Sequence, residues 1–213
     1  MCILKSLDTS KNTKLTSLKC MNCALTELDL SQNKALIHLE CGNDYIINEE
    51  TLLESLNTIQ ELNLSNNSNL QQLNCKLLIY LTNLNISNNK DLKILNCSST
   101  SLSELDISNN SILEELDFSS SIKLLKITNN IELKRIYCHD SELTNLDISN
   151  APNLEELSCF HTKLTSLDIS KCANLRSVNC YSCPLSSIIV RRGQDLYTIF
   201  GSTLGGVNIQ YVE

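Results

Sequence analysis

Two stretches of this sequence carry cysteines at the spacing used to hold zinc or to run thiol exchange: "KCMNC", Lys19 to Cys23, and "NCYSC", Asn179 to Cys183. Two CxxC pairs brought together would supply the four thiolates of a tetrahedral metal site. One pair alone would suit disulfide exchange. The chain holds eleven cysteines in 213 residues. Whether they do chemistry depends on which elements carry them and how far apart those elements lie.

Seven of the cysteines share one register. The line Leu-x-x-Leu-x-Cys recurs as "LTSLKC" at Leu15, "LIHLEC" at Leu36, "LQQLNC" at Leu70, "LKILNC" at Leu92, "LKRIYC" at Leu133, "LEELSC" at Leu154 and "LRSVNC" at Leu175. "LEELDF" at Leu113 places Phe118 in the same slot. Between these runs a second line, Leu-x-x-Leu-Asp-Ile-Ser, seen at Leu25, Leu102, Leu143 and Leu164, with degenerate copies at Leu4, Ile59, Leu81, Ile122 and Leu185. Successive positions of the first line are 21, 34, 22, 21, 20, 21 and 21 residues apart. Each period therefore holds two short segments alternating apolar and polar, separated by polar corners. Alternation of period two sends one set of side chains inward and the other outward. One such coil cannot bury its apolar face alone, so coils must stack around a shared core. The expected fold is a right-handed solenoid of about eight coils, mostly β with little helix, its parallel strands about 4.8 Å apart.

These motifs resemble the leucine-rich repeat family over roughly Leu4 to Val190. Within it, the 21-residue alternation is similar to the internalin J type and to repeats of Bacteroidetes surface proteins. That resemblance implies a parallel concave sheet, an adhesive or recognition role at a bacterial surface, and no catalysis. It identifies the fold far more strongly than the partner.

The solenoid answers the cysteine question by distance. Cys20 and Cys180 stand seven rungs apart, about 34 Å at one strand spacing per rung. A site joining the two CxxC motifs is thereby excluded. Cys20, Cys41, Cys75, Cys97, Cys138, Cys159 and Cys180 instead occupy an inward slot, where free cysteine acts as a small hydrophobe. Adjacent rungs are too far apart for unstrained disulfides, and eleven is an odd number. A ladder of reduced thiols is expected, with Cys23, Cys172 and Cys183 at corners where a small polar group can satisfy the backbone.

The two lines differ in how their outward positions vary. On the second line the outward residues scarcely change: Asp8, Asp29, Asn63, Asn85, Asp106, Lys126, Asp147 and Asp168 are each followed two residues on by Ser or Thr. Corner Asn12, Asn33, Asn67, Asn89, Asn110 and Asn130 follow, with Ala151 and Cys172 ending the run. Stacked Asn, Asp and Ser side chains make local bonds to the backbone, so this side reads as scaffold. On the cysteine line nearly every outward residue differs. A surface that varies on a fixed frame is the form of a binding face, and exposed aromatics are its usual anchors. The expected ligand-binding patch is Arg135, Tyr137, His139, Phe160, His161, Arg176 and Tyr181, on three neighbouring rungs of the concave sheet. Drift of exposed positions with no ligand is the competing reading. His139 and His161, beside Asp140, lack a third firm metal ligand and are expected to be metal-free.

No Gly-rich phosphate loop or strained nucleophile turn appears, so no enzyme activity and no cofactor are expected. The formal charge of −7 argues against nucleic acid and acidic membranes as partners. No apolar run is long enough to span a bilayer. "MCILKSLDTSKNTK" lacks the layout of a signal peptide. The expected location is the cell surface or outside the cell, with an export signal and N-terminal cap removed or short, since the chain begins almost inside a repeat. A cytoplasmic location is the alternative. A monomer binding a protein or a glycan is expected; the rival is an intracellular or injected repeat scaffold.

Two segments break the period. Residues 42–58, "GNDYIINEETLLESLNT", insert about thirteen extra residues, with Asn48 suited to cap a short helix through "EETLLESL". Residues 191–213 follow the 1–190 solenoid and are expected to form a C-terminal cap, with Leu196, Ile199, Phe200, Val207 and Ile209 shielding the last rung.

Overall fold

The computed structural model describes residues 3–44, 55–200 and 204–213. The protein is a parallel-strand solenoid of about nine turns with almost no helix. It divides into two compact units, Met1–Leu102 and Ser103–Glu213.

In the first unit the cysteine line supplies β1 (Ser17–Lys19), β2 (His38–Glu40), β4 (Gln72–Asn74) and β6 (Ile94–Asn96); β3 (Glu61–Asn63) and β5 (Asn83–Asn85) come from the second line. Parallel pairing runs β1-β2-β4-β6 on one side and β3-β5 on the other. Each strand is three residues long because a corner must follow. Its central leucine points inward, and the leucines pair directly: Leu18 with Leu39, Leu39 with Leu73, Leu73 with Leu95. The Leu39–Leu73 pair spans the insertion, so the extra residues leave the strand register intact. The helix expected from Asn48 falls almost wholly outside the described residues.

The second unit repeats the plan. β8 (Glu115–Asp117), β10 (Arg135–Tyr137), β11 (Glu156–Ser158) and β13 (Ser177–Asn179) pair in parallel order on the cysteine line. β7 (Glu104–Asp106) pairs with β9 (Leu124–Lys126), and β12 (Ser166–Asp168) with β14 (Ser187–Arg191). Beyond Val190 come the short helix α1 (Leu196–Phe200), with Ile199 and Phe200 buried, and β15 (Asn208–Val212). β15 lies parallel to β14 at a 21-residue offset, Ser187 opposite Asn208. We propose that α1 and β15 together make up the cap.

The seven ladder cysteines are all buried and free, and Phe118 in the same slot is fully buried. Opposite them runs the asparagine ladder. In the first unit Asn33 Nδ2 donates to the carbonyls of Thr9 and Asn12, Asn67 to those of Leu30 and Asn33, and Asn89 to those of Leu64 and Asn67, all within 3.1 Å. In the second unit Asn130 donates at 2.9 Å to Ile107 and Asn110. Buried Cys172 takes the Asn position with its thiol 3.7 Å from the carbonyls of Ile148 and Ala151. Gln194 then takes it again, 3.4 and 3.3 Å from those of Ile169 and Cys172. Each rung thus spans two carbonyls of the preceding coil, the pairing that buried carbonyls require. Asp-x-Ser on the same side is a local turn, in which the carboxylate accepts from the backbone N–H two residues on, as Asp29 does from Ser31 at 2.9 Å. That bond holds Asp29, Asp106 and Asp147 below the usual carboxylate range, in the last two together with the serine hydroxyl, which leads.

The corner after each ladder position has its own geometry. Asn22, Leu77, Ser99, Ser120, Asp140, His161 and Ser182, each two residues beyond that slot, have φ between 51° and 70°. Only Asn43, after Cys41, stays out of this left-handed region among the eight. The preceding Gly42 lies directly on the next coil: a Cβ there would sit 2.3 Å from the Lys76 carbonyl oxygen and 2.8 Å from its nitrogen. Both obstacles are backbone and cannot swing away. Gly42→Ala is therefore expected to destabilise the protein by about 3 kcal/mol in urea unfolding, the upper range for overpacking. Gly205→Ala, with nothing within 4 Å, should stay within about 0.5 kcal/mol and serves as the control. A Gly42→Ala protein as stable as that control would refute the packing at this corner.

Candidate ligand-binding face

The corners after β10, β11 and β13 carry His139, Phe160 and Tyr181, which differ from rung to rung on the cysteine line. Their spacing is set by backbone bonds that continue past the strand ends. Asp140 N donates to Phe160 O at 3.0 Å, and His161 N to Tyr181 O at 2.9 Å. Asn179 Oδ1 accepts from Tyr181 N at 3.2 Å and fixes the last of these turns. His139, Phe160 and Tyr181 occupy one register position, and the left-handed residue after Phe160 is itself a histidine.

Four rings consequently meet in the second unit. His139 and Phe160 stack with centroids 4.6 Å apart and planes 5° from parallel. Phe160 meets His161 edge-on at 5.3 Å, and His161 lies 6.0 Å from Tyr181. These are the separations at which aromatic pairs attract beyond their burial. Asp140 bridges the two imidazoles, its carboxylate oxygens 3.1 Å from His139 Nδ1 and 3.0 Å from His161 Nδ1. Those two bonds, the one to His139 foremost, hold the Asp140 carboxyl below its ordinary range. His161 and Asp140 are exposed, and Tyr181 is 65% exposed.

The other residues of the expected patch fall on either side. Arg135 forms an ion pair with Glu115 at 2.8 Å, and Tyr137 donates its hydroxyl to Glu156 at 3.0 Å. Burial, then the Glu156 hydrogen bond, pushes the Tyr137 phenol up. Both stand on β10, on either side of the buried Ile136. Arg176 takes no part in the ring cluster and lines a separate cavity with Arg191 and Arg192. The sequence marks Asp140, which bridges the cluster, only as a neighbour of the histidines.

The second cysteine of each CxxC motif now has a clear role. Thr100, Ser141 and Thr162, three residues beyond the ladder slot, donate their hydroxyls to the carbonyls of Cys97, Cys138 and Cys159 at 2.9, 2.7 and 2.9 Å. Cys183 stands at this position and donates its thiol to Cys159 O at 2.9 Å; Cys23 donates to Met21 O at 3.3 Å. Each thiol thus occupies the hydroxyl's position but bonds a different carbonyl, Cys183 reaching back one coil and Cys23 turning to its own corner. Among the described residues no group of three or more His, Cys, Asp or Glu side chains is arranged to hold a metal. No described helix is long and apolar enough to cross a membrane.

Three-residue parallel strands on a 21-residue period, an inward leucine per strand and a file of buried free thiols define a leucine-rich repeat solenoid with a cysteine ladder. Solved structures agree. The chain is similar to the functional domain of InlJ from Listeria monocytogenes, which includes a cysteine ladder, at 28% identity and a TM-score of 0.66, over 97% of this chain and 46% of that one. It thus spans less than half of that domain's length. It shares the fold of internalin C2 from the same organism (16% identity, TM-score 0.52, 82% and 84% covered). It also shares that of the plant peptide hormone receptor RGFR1, solved in complex with RGF2 (15%, 0.52, 93% and 35%). No family model and no curated protein matches the sequence.

Proposed function

We propose that this chain is a non-catalytic recognition module of a bacterial surface or secreted protein, binding a protein or glycan through the cysteine-line face of its second unit. The observation that carries this reading is the continuous cluster His139–Phe160–His161–Tyr181 held at exposed corners by Asp140. Rigid aromatics lose little conformational freedom on contact and supply most of the energy at binding hot spots. Similarity to the InlJ domain, in strand plan and cysteine ladder alike, supports a surface role. In this reading the module acts as a monomer and needs no cofactor. The free thiols support a second reading, an intracellular or injected repeat scaffold, because reducing compartments keep cysteines in that state.

The test is a protein and glycan array probed with the wild-type chain and with a Tyr137→Ala/Phe160→Ala/Tyr181→Ala variant. Loss of aromatic anchors should weaken any bound partner by about 100-fold or more, the scale of a hot-spot deletion. A partner that binds both proteins equally would place the site elsewhere. Fractionation of the tagged natural gene product, surface against cytosol, separates the two readings of location.

A further inference from the structure

Arginine is scarce in this sequence: four of the 17 basic residues. Three of the four, Arg176, Arg191 and Arg192, line one open cavity of about 430 Å³ with Gly193, Gln194 and Asp195. Several other cations of the second unit pair with carboxylates of neighbouring rungs. Lys134 pairs with Glu114, Arg135 with Glu115 and Lys163 with Glu142. Arg176 stands in the register of Lys134, one rung after Glu155, to which its backbone N–H is bonded. Yet among the described residues neither Arg176 nor Arg191 forms an ion pair. Arg192 faces Glu213 at 3.6 Å, where both side chains are largely exposed.

The acidic member of the lining is already engaged. Asp195 accepts from the N–H groups of Tyr197 and Thr198 at 3.1 and 3.2 Å and from the Thr198 hydroxyl at 2.6 Å. Three guanidinium groups against one such carboxylate leave the lining at +2, in a chain whose net charge is −7. The turn that carries the arginines is also held in place. Gln194 Oε1 accepts from Arg191 N at 2.7 Å, while Gln194 Nε2 is anchored to the scaffold as the last rung of the amide ladder. Arg192 N is tied to Val212 O at 2.9 Å.

We propose that this cavity binds a phosphate or sulfate group, free or as an ester on a sugar, through Arg176 and Arg191 with Arg192 at its edge. The planar guanidinium fork matches tetrahedral oxyanions in paired hydrogen bonds, which a lysine's point charge does not reproduce. The site is separate from the ring cluster, so either can fail without the other.

The proposal is tested by calorimetric titration of the whole chain at constant ionic strength with inorganic phosphate, inorganic sulfate and a sulfated disaccharide, against chloride. Saturable binding of at least one oxyanion is expected, weakened about ten-fold or more by Arg176→Gln and by Arg191→Gln, since charge-assisted bonds are the strong ones. Arg176→Lys should recover only part of the affinity, and Phe160→Ala should leave it unchanged. Tighter binding of the disaccharide than of free sulfate identifies an ester as the source; equal binding identifies the free anion. Binding no stronger than chloride, or binding indifferent to both Gln variants while their thermal midpoints match the wild type, overturns it.

Discussion

Raising the pH from 8 to 10 is expected to unfold this protein, and its buried thiols, five in the ladder and Cys172, set where. Burial pushes the thiols of Cys20 and Cys172 up to about 12 and raises those of Cys41, Cys75 and Cys138. Cys159 is raised by its hydrogen bond to the Cys183 sulfur and then by burial. In the unfolded chain the same groups ionise near the ordinary thiol value of about 8.5. A group whose folded pKa is raised contributes stability that is complete below the unfolded value and lost as pH climbs toward the folded one. Above about pH 8.5 the unfolded state therefore releases protons that the folded state keeps. Each thiol then costs about 1.4 kcal/mol per pH unit. Six such thiols together remove roughly 8 kcal/mol per unit, against a stability of about 5–15 kcal/mol for a typical domain. The lysine and arginine of the Glu114 and Glu115 pairs, raised by their carboxylates, work in the same direction at still higher pH.

The measurement is urea unfolding at steps from pH 7 to pH 10.5, for the wild type and a Cys41→Ala/Cys75→Ala/Cys138→Ala variant. At pH 7 the variant should be the less stable, because each substitution leaves a small void. By pH 10 the order should reverse, since three ionisable groups no longer draw the chain toward the unfolded state. Parallel curves for the two proteins across that range would refute the ladder as the source of the alkaline transition. The same experiment separates buried thiols from thiols held by a metal, because a bound metal would keep them ionised in the folded state and give no such release.

The period was legible in the sequence because it is written in residues that have one reason to recur. Leucine at the strand centre, cysteine in the inward slot and asparagine at the corner each fill a position that every coil offers. The pattern also held the explanation of the CxxC motifs, in a form easy to overlook. "CSST", "CHDS" and "CFHT" all end on a hydroxyl that donates to the carbonyl of their first residue, and "CYSC" set beside them makes cysteine one choice at the same position. The left-handed corners left no such trace, since Leu77, Ser99, Asp140 and His161 share a backbone shape and no side-chain property. Of the patch, the stacked rings followed from their shared register. Arg176 did not, because its position before the strand fixes its rung and not the cavity its side chain lines. Gln194 was illegible for another reason: it fills an asparagine slot from the far side of a turn, where the repeat no longer dictates spacing.

The insertion shows how a break in the period can be built into the frame, and Asn57 is where that shows most. Its side chain is 1% exposed and makes bonds in every direction. Oδ1 accepts from the N–H groups of Cys23 and Leu25 at 3.1 and 2.9 Å. Nδ2 donates to the carbonyls of Cys20 and Cys41 at 2.7 and 2.8 Å. Its backbone N–H is taken by Asn43 Oδ1 at 2.8 Å, and Asn43 Nδ2 returns the bond to its carbonyl at 3.1 Å and reaches Leu77 O at 2.9 Å. The Asn57 amide thus ties two successive corners together where the insertion rejoins the coil, and Asn43 carries the tie to a third at Leu77. Asn57→Ala leaves the N–H of Leu25, the part-buried N–H of Cys23 and two buried carbonyls without that partner, at about 1–3 kcal/mol for each one that water cannot reach. A loss of about 4 kcal/mol is expected in urea unfolding, more than for Gly42→Ala. Asn57→Asp is the sharper probe, since it keeps the shape and the acceptor while replacing the donor with a second oxygen facing Cys20 O and Cys41 O. It should be at least as damaging as alanine at pH 7 and partly recover near pH 4, where the protonated acid regains one donor. A tolerated Asn57→Ala, within about 1 kcal/mol of the wild type, would mean the insertion is carried by the solenoid as a passive loop.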